Sequence, residues 1–547
     1  MPSGYGADLA VLLAYFFLII GIGLFMGRKN KSVEDFALGG RSIPWWAVLA
    51  SILAAEISAG TFFGAPGEGF ALRNFTYIQL IIGYLLARII VSAVFVPAYY
   101  RHNVVSIYEF LGVRFGPVTR KWSSGVFLVT RLLASGTRLW VPTLLLVLVW
   151  KLWNPGASLA PGQEFFLTAT ALVFVTLATA LYTTIGGIRA VIWTDVIQIA
   201  VLFAALGFSL WHILGHIPGG WEGAKEMLGK TPGADHAKDL IVFDSGMKEG
   251  AGFWENVKLV LEQEYTLWAA FLASTFVTLA THGTDQDMVQ RMLTAKNKHQ
   301  SALATILSGL VDIPIVMIVL SIGILLNVYY QANPDPLLPA TAEGKIQANK
   351  VFPWFVLTQM PAGLRGLVVA GVLATTMGSL STALNSLATS YVRDFHFRWF
   401  GEPADDAGKV RAMRLGTIIF ATLLIAVALA TAYASVMLPN LRIIPIILGI
   451  FGYTYGSLLG VFMVGLFTKN RGTDFGNVIA MCAGFVIVTY FSGLDQSVMS
   501  LLHLPGIPRP DWMPVVEFPW RIMIGTLVTF LVAVSFSSRP PKASEPA

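Results

Sequence analysis

Apolar residues fall along the chain in blocks of about twenty, set apart by short polar stretches, and not in the alternating or 3.6-residue stripes of a water-soluble domain. Windows of roughly 19 residues pick out segments near 8–26, 45–70, 76–100, 123–150, 164–187, 190–215, 266–290, 302–330, 364–392, 414–434, 441–467, 474–493 and 519–537. Each is long enough to cross a hydrocarbon core of about 30 Å as a helix. The pattern predicts an all-α membrane protein of about 13 transmembrane helices forming one domain over 1–537, with 538–547 a disordered polar tail.

Composition agrees. Of 547 residues 55% are hydrophobic and 12% charged, against about 25% charged in soluble domains. This excludes a disordered chain, a collagen-like repeat and a disulfide scaffold, since Cys482 is the single cysteine. A net charge of +6 need not mean nucleic acid, because the basic residues sit in short blocks between apolar runs. Counted over alternating loops from an external N-terminus, 21 Lys and Arg fall inside, 13 outside and three (Arg88, Arg131 and Arg138) within spans. The inside set includes Arg28, Lys29, Arg120, Arg189, Arg291 and Arg393, and most of the outside set lies in two long loops, 216–265 and 331–363. The positive-inside rule therefore predicts a cell (plasma or inner) membrane protein with its N-terminus outside and its C-terminus cytoplasmic. Basic residues follow the first segment instead of preceding it, the reverse of a signal peptide.

Two spans carry polar residues and glycine at mid-depth, which lipid tolerates only beside a cavity or a partner helix. Span two reads WWAVLASILAAEISAGTFFGAPGEGF, with Glu56, Ser58, Gly60 and Thr61 near the midplane; span seven reads LASTFVTLATHGTDQDMVQR, with Thr278, Thr281, His282 and Gly283 deep inside. Paired interrupted helices point to a transporter binding site, although small residues also serve simple helix packing. In span nine, LVVAGVLATTMGSLSTALNS, residues Thr375, Gly378, Ser379 and Thr382 share one helical face. That face is either a packing stripe or, with carbonyls freed by a broken neighbour, an oxygen site for a monovalent cation.

Charged residues within spans extend the picture. An acid at mid-membrane is costly unless paired or protonated. Glu56 is thus a functional candidate, or else a structural partner of Arg88, Arg131 or Arg138; with no cation beside it, it offers proton coupling. Asp195, in WTDVIQ, is an ion-exit candidate or a partner of Arg189, while Asp312 has no evident partner. Span four carries VTRLLASGTRLW, placing Arg131, Ser135 and Arg138 on one face. Guanidinium groups bind carboxylates bidentately, so these residues suggest a small carboxylate or amino acid. The alternative is that both arginines pair with Glu56 or Asp312 and never meet solute.

At these residues the chain resembles the solute:sodium symporter family over nearly its whole length. The matching stretches are DFALGGRSIPWWAVLASILAAEISA, SIYEFLGVRFG, YTTIGGIRAVIWTDVIQ, GTDQDMVQR and LATTMGSLSTALNS. The resemblance implies a LeuT-type five-plus-five inverted repeat, about 45–215 and 266–467, with one extra N-terminal and two extra C-terminal helices. It also implies a Na+ site at Ala54, Ile57, Thr375, Gly378 and Ser379, departing from the family where Gly378 replaces a hydroxyl. A second ion or exit site would involve Asp195, Ser381 and Thr382. Sugar-transporting members have polar groups where this chain has Ile81 and Ala134, which disfavours a hexose, and Ser58 and Thr61 align with solute-contacting positions of the sialic acid member. The expected solute set is Glu56, Ser58, Thr61, Arg131, Ser135, Arg138, Thr281 and His282.

The reading that follows is Na+-coupled import of a small organic solute by alternating access. Proton coupling through Glu56 and a sugar or other neutral solute are the alternatives. An enzyme is not expected, because HExxH, GxSxG and P-loop motifs are lacking. A transporter-like sensor lacks an output domain, and a channel fits the paired breaks poorly. Expected partners are the solute, Na+ and the bilayer, with no organic cofactor, nucleic acid or obligate protein partner.

Overall fold

The computed structural model describes residues 5–27, 31–153, 159–230, 236–341, 344–437, 449–501, 504–505, 510 and 513–537. The expected tail 538–547 and the basic residues Arg28 and Lys29 lie outside these, as does 441–448 at the start of the eleventh segment. Its principal helices are α1 (Tyr5–Gly27), α2 (Trp45–Glu56), α3 (Ala59–Leu72), α4 (Leu80–Ile90), α5 (Pro117–Arg138), α6 (Pro161–Gly215), α7 (Ser274–Gly283), α8 (Lys298–Ala332), α9 (Leu364–Tyr391), α10 (Asp406–Met437), α11 (Ile450–Phe467), α12 (Asp474–Ser492) and α13 (Phe518–Ser535). Extended pairing among the described residues is limited to three isolated bridges.

Nine helices among the described residues are long and apolar enough to cross a membrane, or ten when the bent pair α2 and α3 counts as one crossing. The expected thirteen differ for two physical reasons. Helix α6 runs for 55 residues and absorbs two expected spans. The segments expected at 123–150 and 266–290 are divided among shorter helices, and they carry the arginines, threonines and histidine that line the interior.

Where α6 turns from one crossing into the next, Gly187 adopts φ +54° and ψ −156°, a region open to glycine. A Cβ there would lie 2.6 Å from the Phe36 carbonyl oxygen. Gly187→Ala is therefore expected to destabilise the fold by about 1–3 kcal/mol, read as a lowered midpoint of thermal unfolding; an unchanged midpoint would show that the kink relaxes freely.

Span two breaks as its sequence suggests. Glu56 ends α2, Ile57 is extended (φ −83°, ψ 97°), and Ser58 caps α3 by accepting from the Thr61 amide at 3.3 Å. The axes on either side are bent by 65°. The second interruption falls just beyond His282: α7 ends at Gly283, and Asp285 (φ −98°, ψ 121°) caps the short helix Gln286–Met292 by accepting from the Asp287 amide at 2.9 Å.

Helix α6 packs along α1 and α9 through Tyr15, Ile19, Tyr182, Ala190, Ala374 and Met377. Charged ends then fix the register. Asp8 accepts from the Gly363 and Gly366 amides at 2.7 and 2.9 Å and pairs with Arg365 at 2.5 Å, tying α1 to the start of α9. Opposite, buried Asp394 accepts from Ser106, Ser124 and Arg120 at 2.7–2.8 Å. In each case the partners are residues that loop alternation assigns to one side. Arg291, counted among the inside loop charges, is instead fully buried.

Candidate functional site

The break in α2 and α3 opens onto a cavity of about 320 Å³. Its wall mixes charge and aromatic surface: Glu56, Arg88, Arg138, His282 and Asp312 face it together with Phe62, Tyr77, Tyr84, Phe451 and Tyr455. A narrower cleft adjoins it, lined by Ser58, Arg131, Ser135, Arg138 and Ser379. Of the residues expected to touch solute, Glu56, Thr61, Arg131, Arg138, Thr281 and His282 line the large cavity. Ser58 and Ser135 line the cleft beside the two arginines.

One of the expected pairs forms, Glu56 with Arg88, and the other charges sort differently. Arg88 takes Glu56 at 2.5 Å and Asp312 at 2.9 Å, which gives Asp312 its partner, and donates to Ser308 at 3.1 Å. His282 Nε2 also meets Glu56 Oε1 at 2.5 Å, while its Nδ1 lies 3.0 Å from the Thr281 hydroxyl. Glu56 thus has two basic neighbours, so the condition attached to proton coupling, an acid with no cation beside it, is not met. Neither Arg131 nor Arg138 pairs with Glu56 or Asp312. Arg131 contacts Asp285 and Asp287, and Tyr455 donates to Asp285 at 2.7 Å. Arg138 has no carboxylate partner among the described residues; its guanidinium lies 4.8 Å from the centre of the Phe451 ring.

A second constellation lies behind the break. When α2 stops, the carbonyls of its last turn lose their i+4 donors, and Ala54 is among them. A Cβ placed on Gly378 would sit 3.4 Å from the Ala54 carbonyl oxygen and 3.5 Å from Asp195 Oδ1. Asp195 is fully buried: Oδ2 accepts from Ser51 at 2.6 Å with Arg291 Nε at 4.0 Å, and Oδ1 has no hydrogen bond. Its expected partner Arg189 pairs with Asp35 instead, at 3.1 Å. Buried polar atoms are normally satisfied, so an orphaned carboxylate oxygen beside a free carbonyl fits a hard cation with oxygen preference.

The expected ion residues meet around α9 on two sides. Ala54 and Thr375 line a small void beside Gln198, Ile57 faces the large cavity and Ser379 faces the cleft. Thr375 donates to the Val372 carbonyl at 2.8 Å and Ser379 to the Thr376 carbonyl at 3.1 Å. Their hydroxyl hydrogens are thereby occupied, which leaves lone pairs for a cation. Ser381 and Thr382 are buried and donate to Gly378 and Ser379 carbonyls at 3.0 and 2.8 Å. The sequence reading passed over Tyr84, Gln198, Asp285, Asp287 and Phe451. One signal was available, since Gln198 follows Asp195 by three positions and shares its helical face.

A helical bundle whose broken helix borders both a solute-sized cavity and an oxygen cradle defines an ion-coupled membrane carrier. The model of the sodium:solute symporter family matches residues 36–484. The chain belongs to that family, whose coupling ion is Na+, and it is a transporter and not an enzyme. Curated relatives include the sodium/sialic acid symporter SiaT of Proteus mirabilis, 27% identical over 89% of this chain and 90% of that protein. The sodium/glucose cotransporter of Vibrio parahaemolyticus is 27% identical over 97% and 90%, and the mouse sodium-coupled monocarboxylate transporter 1 is 26% identical over 94% and 79%. A solved structure of a Na+-coupled sialic acid symporter, in a substrate-bound outward-open state, shares the LeuT-type fold with a TM-score of 0.76 at 21% identity, covering 97% of both chains.

Proposed function

We propose that the chain imports a small organic acid together with Na+ by alternating access. One observation carries the choice of solute: of the arginines facing the cavity, Arg138 alone keeps its guanidinium free of a carboxylate among the described residues. The acids around the cavity already meet arginines, Glu56 and Asp312 through Arg88 and Asp285 through Arg131, which leaves an ammonium group little beyond the unpaired Glu56 Oε2. Arg138 offers a planar fork to a carboxylate, with Ser135 and Ser58 nearby for its remaining lone pairs and the aromatic wall for an apolar body. Relatives named for sialic acid and for monocarboxylates support an acidic solute.

In this reading Ala54, Ile57, Thr375, Gly378 and Ser379 hold Na+, with Asp195, Ser381 and Thr382 forming a second or exit site. The N-terminus is outside and the C-terminus cytoplasmic, and residues 45–215 and 266–467 form the two inverted repeats of one domain. Inward Na+ movement contributes about 2.3 kcal/mol per 100 mV of membrane potential. Ser379 and Arg138 border one cleft while Thr375, one turn away, borders the ion void. Na+ and solute therefore bias the same helix, and each tightens the other's binding by an equal factor.

Thermal stabilisation of purified protein tests this directly. Small monocarboxylates should stabilise it in sodium chloride and fail to do so in choline chloride, while amino acids and hexoses should have little effect. A hexose as the sole stabiliser, or acid pH replacing Na+ fully, would overturn the reading. Ser379→Ala should weaken the apparent Na+ affinity by about tenfold at unchanged expression; an unaltered Na+ response removes Ser379 from the site.

A further inference from the structure

Helix α13 lies outside both proposed repeats, yet it supplies part of the wall of the large cavity. Phe518 and Ile522, one turn apart on α13, face it beside Val277 and Thr281 of α7 and Phe451 and Tyr455 of α11. The sequence explains how a peripheral helix comes so close. Helix α11 carries Gly452, Gly456 and Gly460, small residues at every fourth position, which let two helices in lipid approach backbone to backbone. Cβ atoms placed there would meet α13 directly: 3.0 Å from Phe518 Cδ2 at Gly452, 2.5 Å from the Ile522 carbonyl oxygen at Gly456 and 2.6 Å from Thr529 Cβ at Gly460. The Phe518 ring thus takes the space that a side chain at 452 would fill. Its backbone is fixed on both sides. The Glu517 amide donates to the Leu261 carbonyl at 3.1 Å and the Trp520 indole to the Val260 carbonyl at 3.2 Å.

We propose that α13 completes the solute site, with the Phe518 ring limiting how long an apolar body the cavity takes and Ile522 backing that ring. This rests on the reading of Arg138 as the carboxylate anchor. The Arg138 guanidinium lies 4.8 Å from the centre of the Phe451 ring, and Phe518 seats against Gly452, the next residue of α11. A carboxylate held at Arg138 therefore sends its chain along the aromatic start of α11, and the chain ends at α13. An apolar wall of this kind discriminates by size, one methylene at a time.

The test titrates purified protein in sodium chloride with straight-chain monocarboxylates from acetate to octanoate, reading half-saturating concentrations from thermal stabilisation. In the parent, each added methylene should tighten binding by about fourfold until the chain reaches Phe518, after which binding weakens. Phe518→Ala and Phe518→Leu should move that turning point to longer acids, improving the first rejected acid relative to acetate by about tenfold or more. Phe518→Trp should move it to shorter ones. Phe518→Leu keeps an apolar seat against Gly452 and covers the case in which Phe518→Ala fails to fold. Leu527→Ala, at an exposed position of the same helix, should leave the order of the acids as in the parent. A turning point at the same acid in the parent, Phe518→Leu and Phe518→Trp overturns the proposal and returns α13 to helix packing, as does a parent whose binding tightens all the way to octanoate. A parent that no monocarboxylate stabilises overturns the solute class itself, and this proposal with it.

Discussion

Alanine at Arg138 is expected to raise the half-saturating concentration of an anionic solute by about thirtyfold or more, since losing one partner of a buried charge-assisted contact costs about 2–5 kcal/mol. The fold should survive. Arg138 serves no acid among the described residues, so its removal leaves no carboxylate stranded, and Na+-dependent stabilisation without solute should persist. Arg138→Lys should recover only part of the affinity, because an ammonium is a point charge where the guanidinium is a fork. The neighbouring Arg131 makes a contrast: its loss takes a cation from Asp285, which keeps the Tyr455 hydroxyl, and from Asp287, which keeps Arg291, and should reduce folded yield. Uptake of an acidic solute that is indifferent to Arg138→Ala would assign this arginine to packing against Phe451 and remove the basis for the solute class.

Leucine at Arg88 should produce the largest loss of stability. Arg88 is 2% exposed and is shared by Glu56 and Asp312, so the substitution leaves two acids facing one another without their common cation. Breaking a buried pair in this way costs about 3–5 kcal/mol, visible as a fall in the midpoint of thermal unfolding with no ligand present. Neutralising the acids as well, with Glu56→Gln and Asp312→Asn, should restore most of the midpoint without restoring transport. Parent-like stability in Arg88→Leu alone would mean that water in the cavity already screens these acids, and the ion pairs would then be incidental to the fold.

Much of this arrangement is legible in the sequence for reasons that can be named. Lipid forbids an unsatisfied backbone, so Glu56, Ser58 and Gly60 in an apolar run betray a break, and the structure places it at Ile57–Ser58. The interruption after Gly283 follows from the same rule, though its position depends on Asp285 acting as a cap. Span count is less secure, because a helix that bends at Gly187 without ending looks like two segments in a hydropathy window. Partner choice is not legible at all. Arg88 lies 32 positions from Glu56 and 224 from Asp312, and nothing in a linear pattern favours it over Arg131 or Arg138.

The sequence by itself determined the membrane class, the broken helix, the hydroxyl-bearing face of α9 and the presence of two arginines on one face of α5, since each follows from local periodicity or from the cost of polar groups in lipid. Only the tertiary structure decided which arginine of α5 has no carboxylate partner among the described residues, that Arg88 holds two acids, that Arg291 is interior, and that Gln198 stands where Gly378 has no side chain. The physical reason is that charge pairing and oxygen convergence are settled across helices by three-dimensional proximity, at sequence separations over which local patterning carries no information.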